Sequence, residues 1–443
     1  MSARGEFSSR IGFVLAASGS AVGLGNIWGF PSQVASNGGA AFVLMYLILA
    51  FLLAYPVLMA ELLIGRATKS NVVDALGQIS KGRSGRFVGI CGLITVSLIL
   101  AFYGIVGGWM LAHALEALAS LAGFTSLAQW LISFSLSRNI IFCALFMFLT
   151  VGIVSGGVVN GIERWSVRLM PTLFVIMVLL FAYVMTQQGA MEGLKVYLLP
   201  DFAEALNPDL LISAMGQAFF SMSLGVGTML IYGSYVSQKE NLPRLGAAVS
   251  LVDIGVAVLA GLLIIPAMYV ALHNGVQIFS ESGQLLAEDT LIFTVLPSLF
   301  STMGMVGLLV SLAFFLLMSI AALTSSISML EVPVSYMVEH RKIARQKSVW
   351  LVAAIIFAAS LVIIFNFDSL FGFVITLTTR YSQPLLGLML CIFAGWVWKR
   401  NEILQELKKA DEHAQYRWFW RIWPWYVKFV CPLIIVVMFY RSL

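Results

Sequence analysis

Apolar stretches of about twenty residues, the length that lets a helix cross a bilayer, recur along nearly the whole chain, and charged residues collect between them. The pattern predicts eleven spanning helices: residues 11–36 (span 1), 39–65 (span 2), 87–119 (span 3), 139–156 (span 4), 165–186 (span 5), 209–235 (span 6), 245–271 (span 7), 305–338 (span 8), 348–366 (span 9), 372–398 (span 10) and 422–440 (span 11). The longest outer connection, 272–304, carries an apolar stretch at 291–300 that is able to dip back toward the protein. The charged and aromatic stretch 401–421 reads as a surface helix on the inner side.

Two spans break the rule that a spanning helix avoids glycine next to polar side chains. Span 1 contains Gly19, Ser20, Gly23, Gly25 and Asn26; span 6 contains Gln217, Ser221, Ser223, Gly225, Gly227 and Thr228. They open two consecutive sets of five, spans 1–5 and 6–10, with span 11 as an appendage. Matching interruptions in two halves mark inverted-repeat transporters. Unwinding frees backbone N–H and C=O groups that cannot stay unpaired in lipid, and a bound solute can use them: half-helix N-termini favour a carboxylate, freed carbonyls a cation. The competing reading is a pair of small-residue packing faces; Asn26, Gln217 and Ser221 weigh against it.

Composition agrees, with 60% hydrophobic and 11% charged residues where soluble domains carry about a quarter charged. The net charge of +5 invites a polyanionic partner, but its distribution does not. With the N-terminus inside, 22 of the 26 Lys and Arg fall on the inner side; Arg138, Lys195 and Arg441 fall outside and Arg380 within span 10. Retention of positive charge inside accounts for the excess, so the reading is a multi-pass protein of a bacterial inner membrane. Its N-terminus is cytoplasmic, its C-terminus periplasmic or extracellular, and it has no nucleic-acid role. Arg4 and Arg10 followed by an apolar run also fit a cleaved signal peptide, yet apolar character continues into Trp28 and Phe30. Cys91, Cys143, Cys391 and Cys431 lie in apolar segments without a CxxC pair and read as free thiols.

Ionisable residues within spans are few, and four of them stand out: Glu61, Asp253, Glu331 and Arg380. Such groups are expensive in lipid and tend to serve function. Asp253 is a candidate cation ligand or fixed counter-charge; the alternative is a buried hydrogen bond or ion pair that stabilises the bundle. Thr324 and Ser325 offer hydroxyl oxygens to a hard cation, with Ala321 three residues earlier on nearly the same face. Serine and threonine also bond their own helix carbonyls. His113, His273, His340 and His413 are scattered, and no HExxH, GxSxG or P-loop is present, so no enzyme is indicated.

Arg10 to Leu15, Gly23 to Trp28, Phe30-Pro31, Asn37 to Phe42, Glu61 to Arg66, Gly216 to Gly225 and Leu323 to Ser326 occur in order from about residue 4 to 398. In these motifs the chain resembles the neurotransmitter:sodium symporter family and is similar to the bacterial leucine transporter. The resemblance implies an all-α, five-plus-five inverted-repeat fold with unwound spans 1 and 6. It divides the chain into a cytoplasmic gate segment (1–10), first repeat (11–186), second repeat (187–398), connector (399–421) and span 11 with the C-terminus (422–443).

It also implies two Na+ sites. Site 1 takes the Ala21 carbonyl, Asn26, Ser221, a span 7 group assigned to Asp253, and the substrate carboxylate. Site 2 takes the carbonyls of Gly19, Val22 and Ala321 with the hydroxyls of Thr324 and Ser325. The substrate carboxylate meets the N–H groups of Leu24 and Gly25 and the Tyr103 hydroxyl, and its amino group the carbonyls near Ala21 and Phe220. Ile99, Phe220, Ser223, Val226, Ser325 and Met329 surround its side chain, with Ser221 at the edge. Arg4, Tyr235 and Glu339 match the family's cytoplasmic gate.

Departures sharpen the expectation. An arginine usual in the family and its aspartate partner in span 10 are replaced by Gly29 and Phe371. Closure is then expected from Phe220 packing over the substrate, with Asp368 as a partial substitute for the missing acid, and Arg380 either pairs with Glu331 or faces the pore. Asp253 places a negative charge where chloride-dependent relatives need the anion, which predicts chloride independence. The apolar pocket, roomy at Val226, disfavours charged side chains. The expected function is sodium-coupled symport of a neutral hydrophobic amino acid, including aromatic ones, by alternating access. The alternatives are a proton-coupled or sodium-independent carrier and a non-transporting amino-acid sensor of the same fold.

Overall fold

The computed structural model describes residues 5–200, 207–279 and 291–442. Among them, eight helices are long and apolar enough to cross a membrane: Ala40–Thr68, Arg83–Leu121, Leu136–Ser155, Val158–Val184, Leu242–His273, Gly304–Glu339, Arg345–Phe365 and Trp418–Arg441. Span 1 is a bent pair, Arg10–Ala21 and Gly25–Ser36, inclined by 55°. Span 10 is Phe367–Val397, turned by 95° into Arg400–Lys408. Span 6 consists of Pro208–Ser221 and Thr228–Ser234. These are the eleven expected spans.

The breaks follow from local chemistry. The first half of span 1 ends where Val22 turns extended (φ −67°, ψ 106°), and the helix resumes at Gly25. In span 6 the backbone enters the left-handed region three times, at Ser223 (φ 50°), Gly225 (86°) and Gly227 (82°). Glycine adopts that region without a Cβ penalty, and serine does not. Ser223 has a compensating bond from its hydroxyl to the Ser20 carbonyl at 3.2 Å. That bond ties the two unwound segments together.

Freed N–H groups of span 6 are met from span 2. The fully buried Glu61 carboxylate accepts from Gly225 N at 2.6 Å and from Leu230 N at 3.2 Å. Span 10 presses from the other side: a Cβ at Gly225 would collide with the Gln383 carbonyl. The broken helix is therefore clamped by two neighbours. Spans 3 and 8 form the most extensive pairing in the bundle, with spans 4 and 9 packed on both and spans 1 and 5 on span 8. Span 11 packs mainly on span 10, at the edge.

The connections hold short helices that the hydrophobic pattern does not announce, at Val72–Ser80, Thr125–Ile132 and Ala190–Leu198. The apolar outer stretch forms Ile292–Thr302 and buries Ile292, Val295, Leu296 and Leu299. The 401–421 stretch differs from a simple surface helix. Ile403, Glu406 and Leu407 are buried, and Glu406 Oε1 meets Arg66 Nε of span 2 at 2.7 Å with both side chains nearly inaccessible. A charge of that kind needs a partner once buried, and Arg66 had none within its own helix.

Candidate functional site

Both interrupted helices end in one region between spans 1, 3, 6, 7, 8 and 10, which brings together most of the residues expected for the cation and substrate sites. Asp253 of span 7 is fully buried. Its Oδ1 accepts from Asn26 Nδ2 at 2.8 Å and its Oδ2 from the Ser221 hydroxyl at 2.9 Å. Asn26 Nδ2 also lies 2.9 Å from Ser221 Oγ and 3.1 Å from the Asp253 carbonyl. The Tyr46 hydroxyl reaches Ser221 Oγ at 3.2 Å, an addition the sequence reading did not make. Every partner the carboxylate has here is neutral, and a buried carboxylate without a counter-charge is costly. Rotating the Asn26 amide by 180° presents Oδ1 instead of Nδ2, which converts the cluster into an all-oxygen cation cage. Ala21 ends the helix just beside it.

A second cluster joins spans 1 and 8. Ser325 Oγ approaches the Val22 carbonyl at 3.1 Å and the Gly19 carbonyl at 3.3 Å. Thr324 Oγ1 lies 3.0 Å from the Ala321 carbonyl and 3.1 Å from that of Ile320. Gly19 allows this apposition, since a Cβ there would stand 3.2 Å from the Thr324 Cβ. Leaving the Ile320 carbonyl aside, the set is three carbonyl and two hydroxyl oxygens without a carboxylate, suited to a hard monovalent ion. No group of three His, Cys, Asp or Glu placed to hold a metal ion occurs among the described residues.

Between the clusters lies a small cavity. Nine expected substrate residues line it: Ala21, Gly25, Ile99, Tyr103, Phe220, Ser223, Val226, Ser325 and Met329, joined by Gly23 and Gln383. Leu24 and Ser221 do not line it. The Leu24 N–H donates to the Tyr103 hydroxyl at 3.0 Å, and Ser221 is turned to Asp253 as described. Gln383 was missed; its signal was a polar residue before Pro384 inside an apolar span. Gln217, noted only for its place beside the glycines, donates to the Gly25 carbonyl at 2.7 Å.

On the outer side an aromatic cluster stands where the ion pair is missing. Phe371 faces Phe367 at 4.5 Å and Trp109 at 5.5 Å, and Phe293 of the short outer helix bridges Trp109 at 5.7 Å and Trp28 at 5.9 Å. Phe220 alone is therefore not the outer cover, and Asp368 is exposed with no ion pair among the described residues. Aromatic stacking closes this face without an orphan charge.

The opposite face is closed by ions. Glu331 is fully buried and meets Arg345 Nη2 at 2.6 Å, while the Tyr235 hydroxyl donates to its Oε1 at 2.6 Å. The pairing of Glu331 with Arg380 is thus replaced by Arg345, which follows span 8 closely in the chain; Arg380 is exposed on span 10. Glu339 accepts from the backbone N and Nδ2 of Asn71 at 2.7 and 3.2 Å. Arg4 lies outside the described residues.

Residues 4–133 and 125–443 match the Sodium:neurotransmitter symporter family. The chain belongs to that family. It is 34% identical to the uncharacterized sodium-dependent transporter YhdH of Bacillus subtilis over 98% of this chain and 96% of the relative. An uncharacterized sodium-dependent transporter of Haemophilus influenzae is 32% identical over 99% of this chain and 98% of its own. The crystal structure of MhsT in complex with L-phenylalanine superposes with a TM-score of 0.85 at 34% identity, covering 99% of this chain and all of that one. This chain is a sodium-dependent symporter of the family, with a multi-pass inverted-repeat fold.

Proposed function

We propose that the protein carries a neutral hydrophobic amino acid, aromatic ones included, together with two Na+ ions and without chloride. The observation that carries this is Asp253: a fully buried carboxylate that accepts from Asn26 and Ser221, both neutral, beside the broken ends of spans 1 and 6. Its negative charge calls for a cation and stands in for an anion. Asn26, Ser221, Asp253 and the Ala21 carbonyl hold one Na+; Gly19, Val22, Ala321, Thr324 and Ser325 hold the other.

The substrate carboxylate enters between Leu24 N–H and the Tyr103 hydroxyl, taking a hydrogen bond from each and completing the first sodium shell. Ile99, Phe220, Val226 and Met329 give the side chain an apolar surface, and MhsT, whose structure holds L-phenylalanine, supports an aromatic ligand. Sodium and substrate together favour an occluded state by binding it better than the open ones. Release inward then requires the Glu331–Arg345–Tyr235 closure to part. We place the chain in a bacterial inner membrane, N-terminus inside and C-terminus outside, on the charge asymmetry of its connections.

The test is a thermal-stability panel of the purified protein with twenty amino acids in sodium chloride, sodium gluconate and potassium chloride. A ligand at a hundred times its dissociation constant adds about 2.7 kcal/mol. Stabilisation by hydrophobic amino acids in both sodium salts and not in potassium is expected. Stabilisation only in chloride refutes chloride independence; glutamate or lysine as best ligand refutes the substrate class.

A further inference from the structure

Gln383 is the polar wall residue whose requirements the cavity leaves unmet. It is 3% exposed, lines the cavity, and its side-chain Oε1 is buried without a hydrogen-bond partner. The other polar side chains of the wall are engaged. Ser223 bonds the Ser20 carbonyl, Ser325 bonds those of Gly19 and Val22, and the Tyr103 hydroxyl accepts from Leu24.

Nor can the glutamine withdraw with its helix. Its carbonyl lies against Gly225, and Gly387, one turn on, sits so tightly on Phe219 that a Cβ would collide with the ring. Folded proteins rarely leave a buried amide oxygen orphaned, and one beside a solute cavity finds its partner on the solute.

We propose that Gln383 is a specificity-determining residue that accepts a hydrogen bond from a donor on the substrate's side chain. The preferred ligand is then an apolar, neutral amino acid carrying an N–H or O–H, such as an indole or phenol. This rests on the amino-acid reading above and narrows it. A site with a built acceptor disfavours isosteres lacking the donor, because the acceptor is then buried unpaired.

The experiment measures binding to the full-length protein in sodium chloride. It compares tryptophan with its benzothiophene isostere, in which sulfur replaces the indole N–H, and tyrosine with phenylalanine. Wild type is expected to prefer each donor-bearing ligand by about 10- to 100-fold. Gln383→Leu should erase the preference within each pair. Wild-type protein that binds both members of each pair equally overturns the assignment, and that comparison does not depend on the variant folding. Uniform weakening of all four ligands in Gln383→Leu overturns it in favour of a packing role. If wild type binds no amino acid in sodium, the proposed function falls and this inference with it.

Discussion

Replacing Asp253 with asparagine isolates the charge at the first cation cluster from its shape. Asparagine keeps an acceptor for Asn26 Nδ2, now 2.8 Å from Oδ1, and the Ser221 hydroxyl, 2.9 Å from Oδ2, can turn to accept from the new amide. What is lost is one negative charge whose local partners are neutral. A monovalent cation about 4 Å from a carboxylate gains about 4 kcal/mol at an effective dielectric of 20. Allowing the retained dipoles to recover half, the loss is about 2 kcal/mol, or roughly thirtyfold in sodium affinity. The assay is a sodium titration of amino-acid binding in chloride and in gluconate. Asp253→Asn should need roughly thirtyfold more sodium in gluconate, and chloride should recover part of the deficit. Melting in potassium checks that the variant is folded. Wild-type sodium dependence in Asp253→Asn, with no effect of chloride, would refute the counter-charge role of Asp253.

Other substitutions probe different parts of the same frame. Ser325→Ala removes the hydroxyl shared with the Gly19 and Val22 carbonyls, and should raise the sodium concentration for half-saturation about tenfold while sparing the fold in potassium. Gly225→Ala forces a side chain into the left-handed region, about 1–2 kcal/mol on its own, and onto the Gln383 carbonyl. A lowered melting temperature and abolished uptake are expected, and unaltered transport would contradict the clamp formed by spans 2 and 10. Glu331→Gln leaves Arg345 and Tyr235 with a neutral partner. Because Arg345 is 26% exposed, a shift of about 1–2 kcal/mol toward the inward-open state is expected, read as faster labelling of a cysteine placed beneath the cavity on the inner side.

Much was legible in the chain because the bilayer imposes it. About twenty apolar residues are needed to cross, so the spans could be counted, and Gly23, Gly25, Gly225 and Gly227 announced where they unwind. Asn26 and Ser221 beside those breaks, and Thr324 and Ser325 within span 8, were conspicuous because lipid tolerates so few polar residues. The amphipathic helix Val72–Ser80 escaped notice, and the connector was expected on the surface where Ile403, Glu406 and Leu407 are buried, since neither segment has the length or uniform apolarity of a span.

What the tertiary structure decided was partnership. Glu331 had several cations within conceivable reach, and only the packing of spans 8 and 9 brings Arg345 to it and leaves Arg380 outside. The missing outer ion pair could be inferred from Gly29 and Phe371, but not that Trp28, Trp109, Phe293 and Phe371, from four separate segments, would meet in its place. Gln383 belongs to the same class: its residue type was visible, whereas its burial beside Gly225 with an unanswered oxygen depends on span 10 lying across span 6. Hydrophobic length and backbone breaks are local properties written into consecutive residues. Which buried polar group answers which is a contact between distant ones, and it exists only once the helices are packed.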